Sequence, residues 1–467
     1  MKIITLILLL LTLWIPWCYS GEPPLVNIDI DETQTFQEMD GFGASLTDSS
    51  AWLLYHILTP DEQKKVMAEL FSYETGIGLS YLRQPMGASD FALKNYTYAD
   101  TPEDDRLEHF SIAYDEAYII PLLQQALKIN PRLQIMGSPW SAPAWMKESN
   151  DLNRGQLKNE LYALYADYFL KYVQAYAAKG LPIHAITLQN EPQHEPCSYP
   201  CMRMKVVDQA KLAKLIGERF QKDRINTKIV VWDHNWDNPD EVIAILNDHQ
   251  ANPYIAGSAF HCYAGDVSAQ SKVVAAHPNK EVYFTECSGG GWSEDFANNL
   301  LWDVSTLVIG TTRHWAKTVL KWNIALDENS GPQNGGCSNC RGVITINQHT
   351  GQVTKNVEYY SLGHISKFVR PGTKRIYSTN LSSGEIQNVA FINPDGLIAV
   401  IVLNTADNER MLKMHWKEEA FSYTLPSHSV ATFTWSNILN STVSIWLTTG
   451  DQKQLLEKQR ESIKFSK

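Results

Sequence analysis

Two glutamates stand where short apolar runs stop. Thr187-Leu188-Gln189-Asn190-Glu191-Pro192 closes one run, and Tyr283-Phe284-Thr285-Glu286-Cys287 closes another. Two carboxyls at strand ends are what cleavage of a bond between sugars requires. One must be protonated near neutral pH to donate to the leaving oxygen, and the other must be ionised to attack the anomeric carbon. Opposed surroundings drive the two pKa values apart. A carboxyl separation of about 5–5.5 Å gives retention of configuration, and a wider gap gives inversion. The residue types alone do not say which glutamate donates, and either one alone also fits a structural salt bridge. Asn190 adds an amide able to hold a sugar 2-hydroxyl while charge develops. Such a pair needs no metal and no cofactor.

Residues of this kind must be carried on strand ends, so the elements around them matter. Eight short apolar runs recur along the chain: Gly41-Thr47, Leu79-Met86, Leu133-Pro139, Ala185-Gln189, Ile229-Asp233, Ala256-Tyr263, Val282-Thr285 and Val319-Leu326. Amphipathic stretches such as Glu116-Leu127, Glu160-Ala178, Gln209-Phe220 and Phe296-Ile309 lie between them. The alternation predicts an α/β fold, a (β/α)8 TIM barrel over 39–365, whose chemistry belongs at the C-terminal ends of its strands. An open doubly wound sheet would announce a glycine-rich phosphate loop after its first strand, and Asp40-Gly41-Phe42-Gly43 leads into none.

From about Ser366 the period changes. Ile386-Ile392, Ile398-Leu403 and Val430-Trp435 alternate like antiparallel strands, with Asn393-Pro394-Asp395-Gly396 as a turn. This predicts a small antiparallel β-sandwich over 366–436, joined by an N-terminal strand within 21–38 (Leu25-Ile30). Residues 437–467 read as a polar tail, frayed or weakly helical. Residues 1–20 read as a signal peptide: Lys2, an apolar core from Ile3 to Leu13, and Cys18-Tyr19-Ser20 before Gly21. The apolar run is short for a membrane anchor, the alternative reading. Export to a secreted or periplasmic or lumenal location follows, with no integral membrane span after cleavage.

The net charge of −11 argues against a nucleic-acid partner, which would need a basic face. Removal of Cys18 with the leader leaves Cys197, Cys201, Cys262, Cys287, Cys337 and Cys340, an even set that favours disulfides in an exported protein. Cys197/Cys201 and Cys337/Cys340 are close enough for local bridges; a zinc site built from the two pairs is the alternative.

The blocks DGFGASLTDSSAWLL from Asp40, YTYADTPEDD from Tyr96, GSPWSAPAWMK from Gly137, ITLQNEP from Ile186, FTECSGG from Phe284 and LKWNIALDENSGP from Leu320 resemble glycoside hydrolase family 30, which contains the glucosylceramidases. The resemblance implies Glu191 as acid/base and Glu286 as nucleophile of a retaining, double-displacement β-glycosidase. It also implies sugar contacts from Asp48, Trp140, Asn190 and Trp322. Arg83, His261 and Tyr263, near strand ends, would orient the nucleophile or line the pocket. Asp48 also fits a helix N-cap before Ser49-Leu54, and the two tryptophans also fit packing roles. The segments PQHEPCSYPCMRM after Glu191 and CSNCRGVITIN from Cys337 depart from the animal enzymes and are similar to microbial members, including β-1,6-glucanases. The expected partner is therefore a β-glucoside, either glycolipid or β-glucan. The leading expectation is a glucosylceramidase-type hydrolase. An endo-β-1,6-glucanase on the same site is the alternative. A non-catalytic carbohydrate-binding protein is the reading of a different class, and the two intact glutamates speak against it.

Overall fold

The computed structural model describes residues 23–196, 198–381, 384–438, 441–450 and 463–465. The expected signal peptide, 1–20, lies outside them. Eight parallel strands close into a barrel: Gly41–Ser45, Tyr81–Pro85, Gln134–Ser138, Ala185–Thr187, Lys228–Asn235, Ile255–His261, Glu281–Glu286 and Ala316–Asn323. They are numbered one to eight here, and strand eight pairs back onto strand one. Each falls within or beside one of the eight apolar runs.

The barrel interior is layered. Tyr81, Met136, Ala185, Val230, Ala259, Tyr283 and Leu320 form a wholly buried apolar plug. Beneath it Lys228, Lys317, Asp40 and Glu281 pair at the N-terminal mouth, with Lys317 Nζ 3.0 Å from Asp40 and 2.7 Å from Glu281. Alternation along a strand puts residues two apart on one face. One layer above the plug it therefore brings Arg83, Ser138, Thr187, His261 and Thr285 inward. That layer is polar, and it is the floor of the site.

Outer helices cover the barrel. Pro60–Phe71 begins with a capping box between Thr59 and Glu62 and a proline in its first turn, both favourable starts. Tyr162–Ala178 turns Tyr165, Tyr168, Phe169, Tyr172 and Tyr176 onto the barrel. Phe296–Trp302 is a shorter α-helix than the sequence period suggests, because the chain widens into a π-helical segment at Asp303–Gly310.

The second layer is a nine-stranded sheet folded into a β-sandwich. Leu25–Glu38 enters it between Arg410–Trp416, its parallel neighbour, and Lys374–Ser378, its antiparallel one. The strand runs past Ile30, with register shifts beyond Asp31 that account for its broken alternation. Leu397–Asn404 is apolar on both faces because both are covered. Ile398, Val400 and Val402 pack into the sandwich core, whereas Ala399, Ile401 and Leu403 pack toward the barrel.

The reading of 437–467 as a tail is corrected. Thr442–Thr449 is a strand paired with Ser429–Ser436, and Ile463–Lys464 pairs in turn with it. Val443, Ile445 and Leu447 supply a buried alternation that the surrounding polar residues mask in sequence. Among the described residues no helix is long and apolar enough to cross a membrane.

Candidate active site

Arg83 is the centre of the floor. Fully buried on strand two, it donates to Glu286 Oε2 (2.5 Å), Asp233 Oδ2 (2.8 Å), Asn190 Oδ1 (2.7 Å) and Ser138 Oγ (3.2 Å). Burial opposes its charge, but Asp233 and Glu286 more than offset that and raise its pKa. Charge-assisted forks of this kind fix geometry as well as energy.

Asp233 is the counterweight. Its Oδ2 also accepts from Thr187 (2.6 Å) and Ser138 (3.2 Å), and its Oδ1 from Thr285 (2.7 Å) and His261 Nε2 (3.0 Å). Burial raises its pKa, but Arg83 and His261 hold it far below the carboxylate range. Alternation from Val230 would aim Trp232 inward. Instead a bulge between Trp232 and His234, with positive φ at Trp232 (76°) and Asp233 (56°), swings the carboxylate to the barrel axis. Sequence reasoning missed Asp233. The available signal was an apolar run that ends in an acidic residue, as the runs before the two glutamates do.

The two glutamates face one another across this floor. A carboxylate oxygen of Glu191, one of Glu286 and a ring nitrogen of His261 all lie within 4.8 Å of one another. Glu286 closes strand seven, and both of its oxygens are engaged: Oε2 by Arg83, Oε1 by the Tyr263 hydroxyl at 2.9 Å. Glu191 sits in a turn beyond strand four with φ of 44°, an uncommon value for a residue with a Cβ, pinned by its own N–H to Asp233 O (3.0 Å). Its side chain meets His261 Nδ1 at 3.1 Å.

Burial raises both carboxyls. At Glu191 the hydrogen bond and charge of His261 outweigh burial and bring its pKa below the usual range. At Glu286 burial, aided by the Glu191 charge, prevails over His261 and Arg83 and leaves its pKa above that range. Burial pulls His261 down, but the carboxylates, Glu286 foremost, hold its imidazolium up to about 9. As an imidazolium the ring donates from both nitrogens, to Glu191 and to Asp233, and so bridges the two carboxylates.

Above the floor lies a cavity of about 350 Å³ lined by Glu191, Glu286, Asn190, Trp140, Trp322, Tyr263, Asp90 and Tyr199, among others. Trp140 and Trp322 stack with centroids 4.9 Å apart, the Arg83 guanidinium lying 4.8 Å from the Trp140 ring. Asn190 spends its carbonyl on Arg83, and its amide NH2 has no protein acceptor among the described residues.

Asp48, expected at the sugar, does not line this cavity. Its carboxylate accepts the Leu93 N–H at 2.7 Å and the Tyr114 hydroxyl on Oδ2, and the Tyr118 hydroxyl on Oδ1. Nor is it the N-cap, which is Thr47. The carboxylate that does reach the cavity is Asp90, on the loop that Asp48 anchors. Its Oδ1 is buried without a protein partner, and burial, with the nearby Glu286 charge, pushes its pKa well up.

The loops flagged in the sequence meet at the rim. His194 and Tyr199 come from the segment after Glu191, and Cys337 and Cys340, joined in a disulfide, from the segment after strand eight. They touch closely: a Cβ on Gly335 would come within 2.1 Å of Ser198 O. A second disulfide, Cys262–Cys287, ties the residues that follow His261 and Glu286, a pairing not anticipated from spacing. Cys201 is buried and unbridged among the described residues, and its expected partner Cys197 lies outside them. The two expected pairs thus do not share a zinc site among the described residues, since Cys337 and Cys340 are bridged to each other.

A barrel with two facing carboxyls at its C-terminal mouth, over a sandwich built from both ends of the chain, defines a glycoside hydrolase. Comparison with known proteins agrees. Residues 39–369 match the glycosyl hydrolase family 30 TIM-barrel domain, and 372–433 match its beta sandwich domain. The chain belongs to glycosyl hydrolase family 30 and is a β-glycosidase. It is 33% identical over 449 residues to an endo-1,6-beta-D-glucanase of Trichoderma harzianum, covering 89% of this chain and 88% of that one. It is 30% identical over 431 residues to the lysosomal acid glucosylceramidase of Mus musculus, covering 87% and 83%. A solved endo-β1,6-glucanase superposes with a TM-score of 0.84 at 33% identity, over 88% of this chain and 94% of that one.

Proposed function

We propose that the protein is a retaining endo-β-1,6-glucanase in which Glu286 is the nucleophile and Glu191 the acid/base. The observation that carries retention is that one oxygen of Glu191 and one of Glu286 lie within 4.8 Å of each other, a gap nearer the short spacing of retaining enzymes than the wide one of inverting enzymes. The two expectations for the substrate change order. The glucan reading is favoured over the glucosylceramide one by the relatives at 33% identity and by the microbial-type loops at the rim.

In this reading Arg83 and Tyr263 hold both oxygens of Glu286 and aim one at the anomeric carbon. Among the described residues Glu191 has one side-chain donor, His261, and its other oxygen is left to face the glycosidic bond. The proton is parked on His261 Nδ1, one hydrogen bond from Glu191. As Glu286 bonds to carbon its negative charge disappears, and the imidazolium loses the partner that contributes most to holding its proton. The proton then moves through Glu191 onto the leaving oxygen. In the second step Glu191 takes a proton from water, which attacks the glycosyl ester. Asn190 and Asp90 hold hydroxyls of the sugar whose anomeric carbon is attacked, with Trp140 and Trp322 as its walls.

Disulfides and the leader-like residues 1–20 support export to an oxidising compartment. The deciding experiment is a panel of β-1,6-glucan, β-1,3-glucan, β-1,4-glucan and glucosylceramide, with product anomers followed by NMR. Rapid release of β-anomers from internal bonds of the β-1,6-glucan is expected. Turnover of glucosylceramide alone would overturn the substrate, and α-anomers the mechanism.

A further inference from the structure

The catalytic cavity does not end at the glutamates. Tyr263, Ser288 and Trp292 line it and also line a neighbouring cavity of about 480 Å³, so the two adjoin across these residues as the near and far parts of a trough. The far part is walled by the Cys262–Cys287 disulfide and by the helix Phe296–Trp302.

This trough holds aromatic surface that folding has left in water. Among the described residues only two tryptophans, Trp292 (57%) and Trp302 (46%), keep a large exposed fraction, and both line it, with Tyr263 (45%) between the two cavities. Exposed aromatic faces gathered in one concavity mark a binding surface. The polar lining is neutral. Ser288, Ser293 and Asn298 offer hydroxyl and amide groups, and the two acids at the floor are already paired, Asp303 with Lys321 (2.9 Å) and Glu358 with Arg341 (2.8 Å). A neutral ligand with apolar ring faces and hydroxyl edges suits this lining.

We infer that the far trough is a second sugar subsite, in which Trp302 and Trp292 stack on a glucosyl unit of the same chain whose bond lies between Glu191 and Glu286. The inference rests on the β-glycan hydrolase reading and extends it. Binding there makes the enzyme prefer long chains and positions the bond to be cut.

The test compares wild type with Trp302→Ala and Trp302→Phe on an aryl β-glucoside and on β-1,6-linked oligosaccharides of two to six units. The measured quantity is the ratio of kcat/KM for the longest oligosaccharide to that for the aryl glucoside. Trp302→Ala is expected to lower it about five- to tenfold, the scale of one aromatic stacking contact, and Trp302→Phe to restore most of it. Trp292→Ala gives an independent reading in the same direction. A general folding defect lowers both substrates alike and leaves the ratio unchanged. An unchanged ratio in both alanine variants overturns the subsite. So does a loss confined to glucosylceramide, which would make the trough an acyl-chain contact. If wild type leaves β-1,6-glucan uncut but cleaves another β-glucan, the linkage assignment fails and the ratio is measured on that glucan. If it cleaves no glucan, the subsite fails with it.

Discussion

His261 Nδ1 lies 3.1 Å from Glu191 Oε1 while its Nε2 lies 3.0 Å from Asp233 Oδ1, so one imidazole couples the proton donor to the buried anion beneath the barrel mouth. This arrangement sets a pH profile. Activity needs Glu286 ionised, and its pKa is raised, so the acid limb of kcat/KM lies above the ordinary glutamate value. Activity also needs the proton held by His261 and Glu191, so it falls as pH rises through about 9. His261→Gln removes that store. Its basic limb is expected to move down by a unit or more, with kcat falling more than KM rises. A basic limb that stays in place would show that His261 does not hold the proton.

Replacing the glutamates separates their roles. Glu286→Gln is expected to abolish turnover of glucan and aryl glucoside alike. Glu191→Ala is expected to cost on the order of 10²–10⁴-fold on glucan and much less on an aryl glucoside with a good leaving group, where proton donation matters little. Azide should restore the latter and yield a β-glycosyl azide. Formation of the α-azide would rule out the double displacement.

Arg83→Met tests the floor. It leaves Asp233 and Glu286 buried with His261 as their remaining cation, a loss of about 3 kcal/mol of stability, the low end for breaking a buried pair. It also removes a force holding Glu286 ionised, so the acid limb of any residual activity moves to higher pH. Calorimetry and a pH–rate profile together distinguish this from a purely structural loss.

Asp90 and Asp48 make opposed predictions. Asp90→Asn should leave the melting temperature near that of wild type and lower kcat/KM roughly 2–10-fold, the value of one hydrogen bond between neutral groups, since burial holds Asp90 protonated. Asp48→Asn should do the reverse, loosening the Leu93 and Tyr114 contacts and costing stability first. The opposite pattern would return Asp48 to the sugar.

The Cys262–Cys287 bridge closes a loop of 25 residues that runs from the end of strand six through the end of strand seven. Opening it with Cys262→Ser and Cys287→Ser should cost roughly 3.5 kcal/mol by loop entropy, read as a fall in the denaturation midpoint.

The eight strands were legible because each is a short apolar run, and a barrel interior has to be filled. Both glutamates, Asn190, Arg83, His261, Tyr263, Trp140 and Trp322 were legible because strand ends and sequence blocks mark them. Asp233 was not, because a bulge overrides the alternation from which inward residues are read. Asp90 was not, because it lies on an irregular loop where no period exists and its neighbour in role, Asp48, sits beside a strand end. The strand Thr442–Thr449 was hidden because only Val443, Ile445 and Leu447 form its apolar alternation, and the opposite face mixes Ser444 with Trp446 and the buried Thr448. The Cys262–Cys287 pairing depends on two strands becoming neighbours, which spacing in the chain does not encode.

The Arg83 fork reaches from strand two to a carboxylate on strand five and another on strand seven. No half of the barrel contains all three. Catalysis therefore reports on ring closure as a whole. On heating or in denaturant, activity and the cooperative unfolding of the barrel should disappear over the same interval, with no inactive but folded state preceding it.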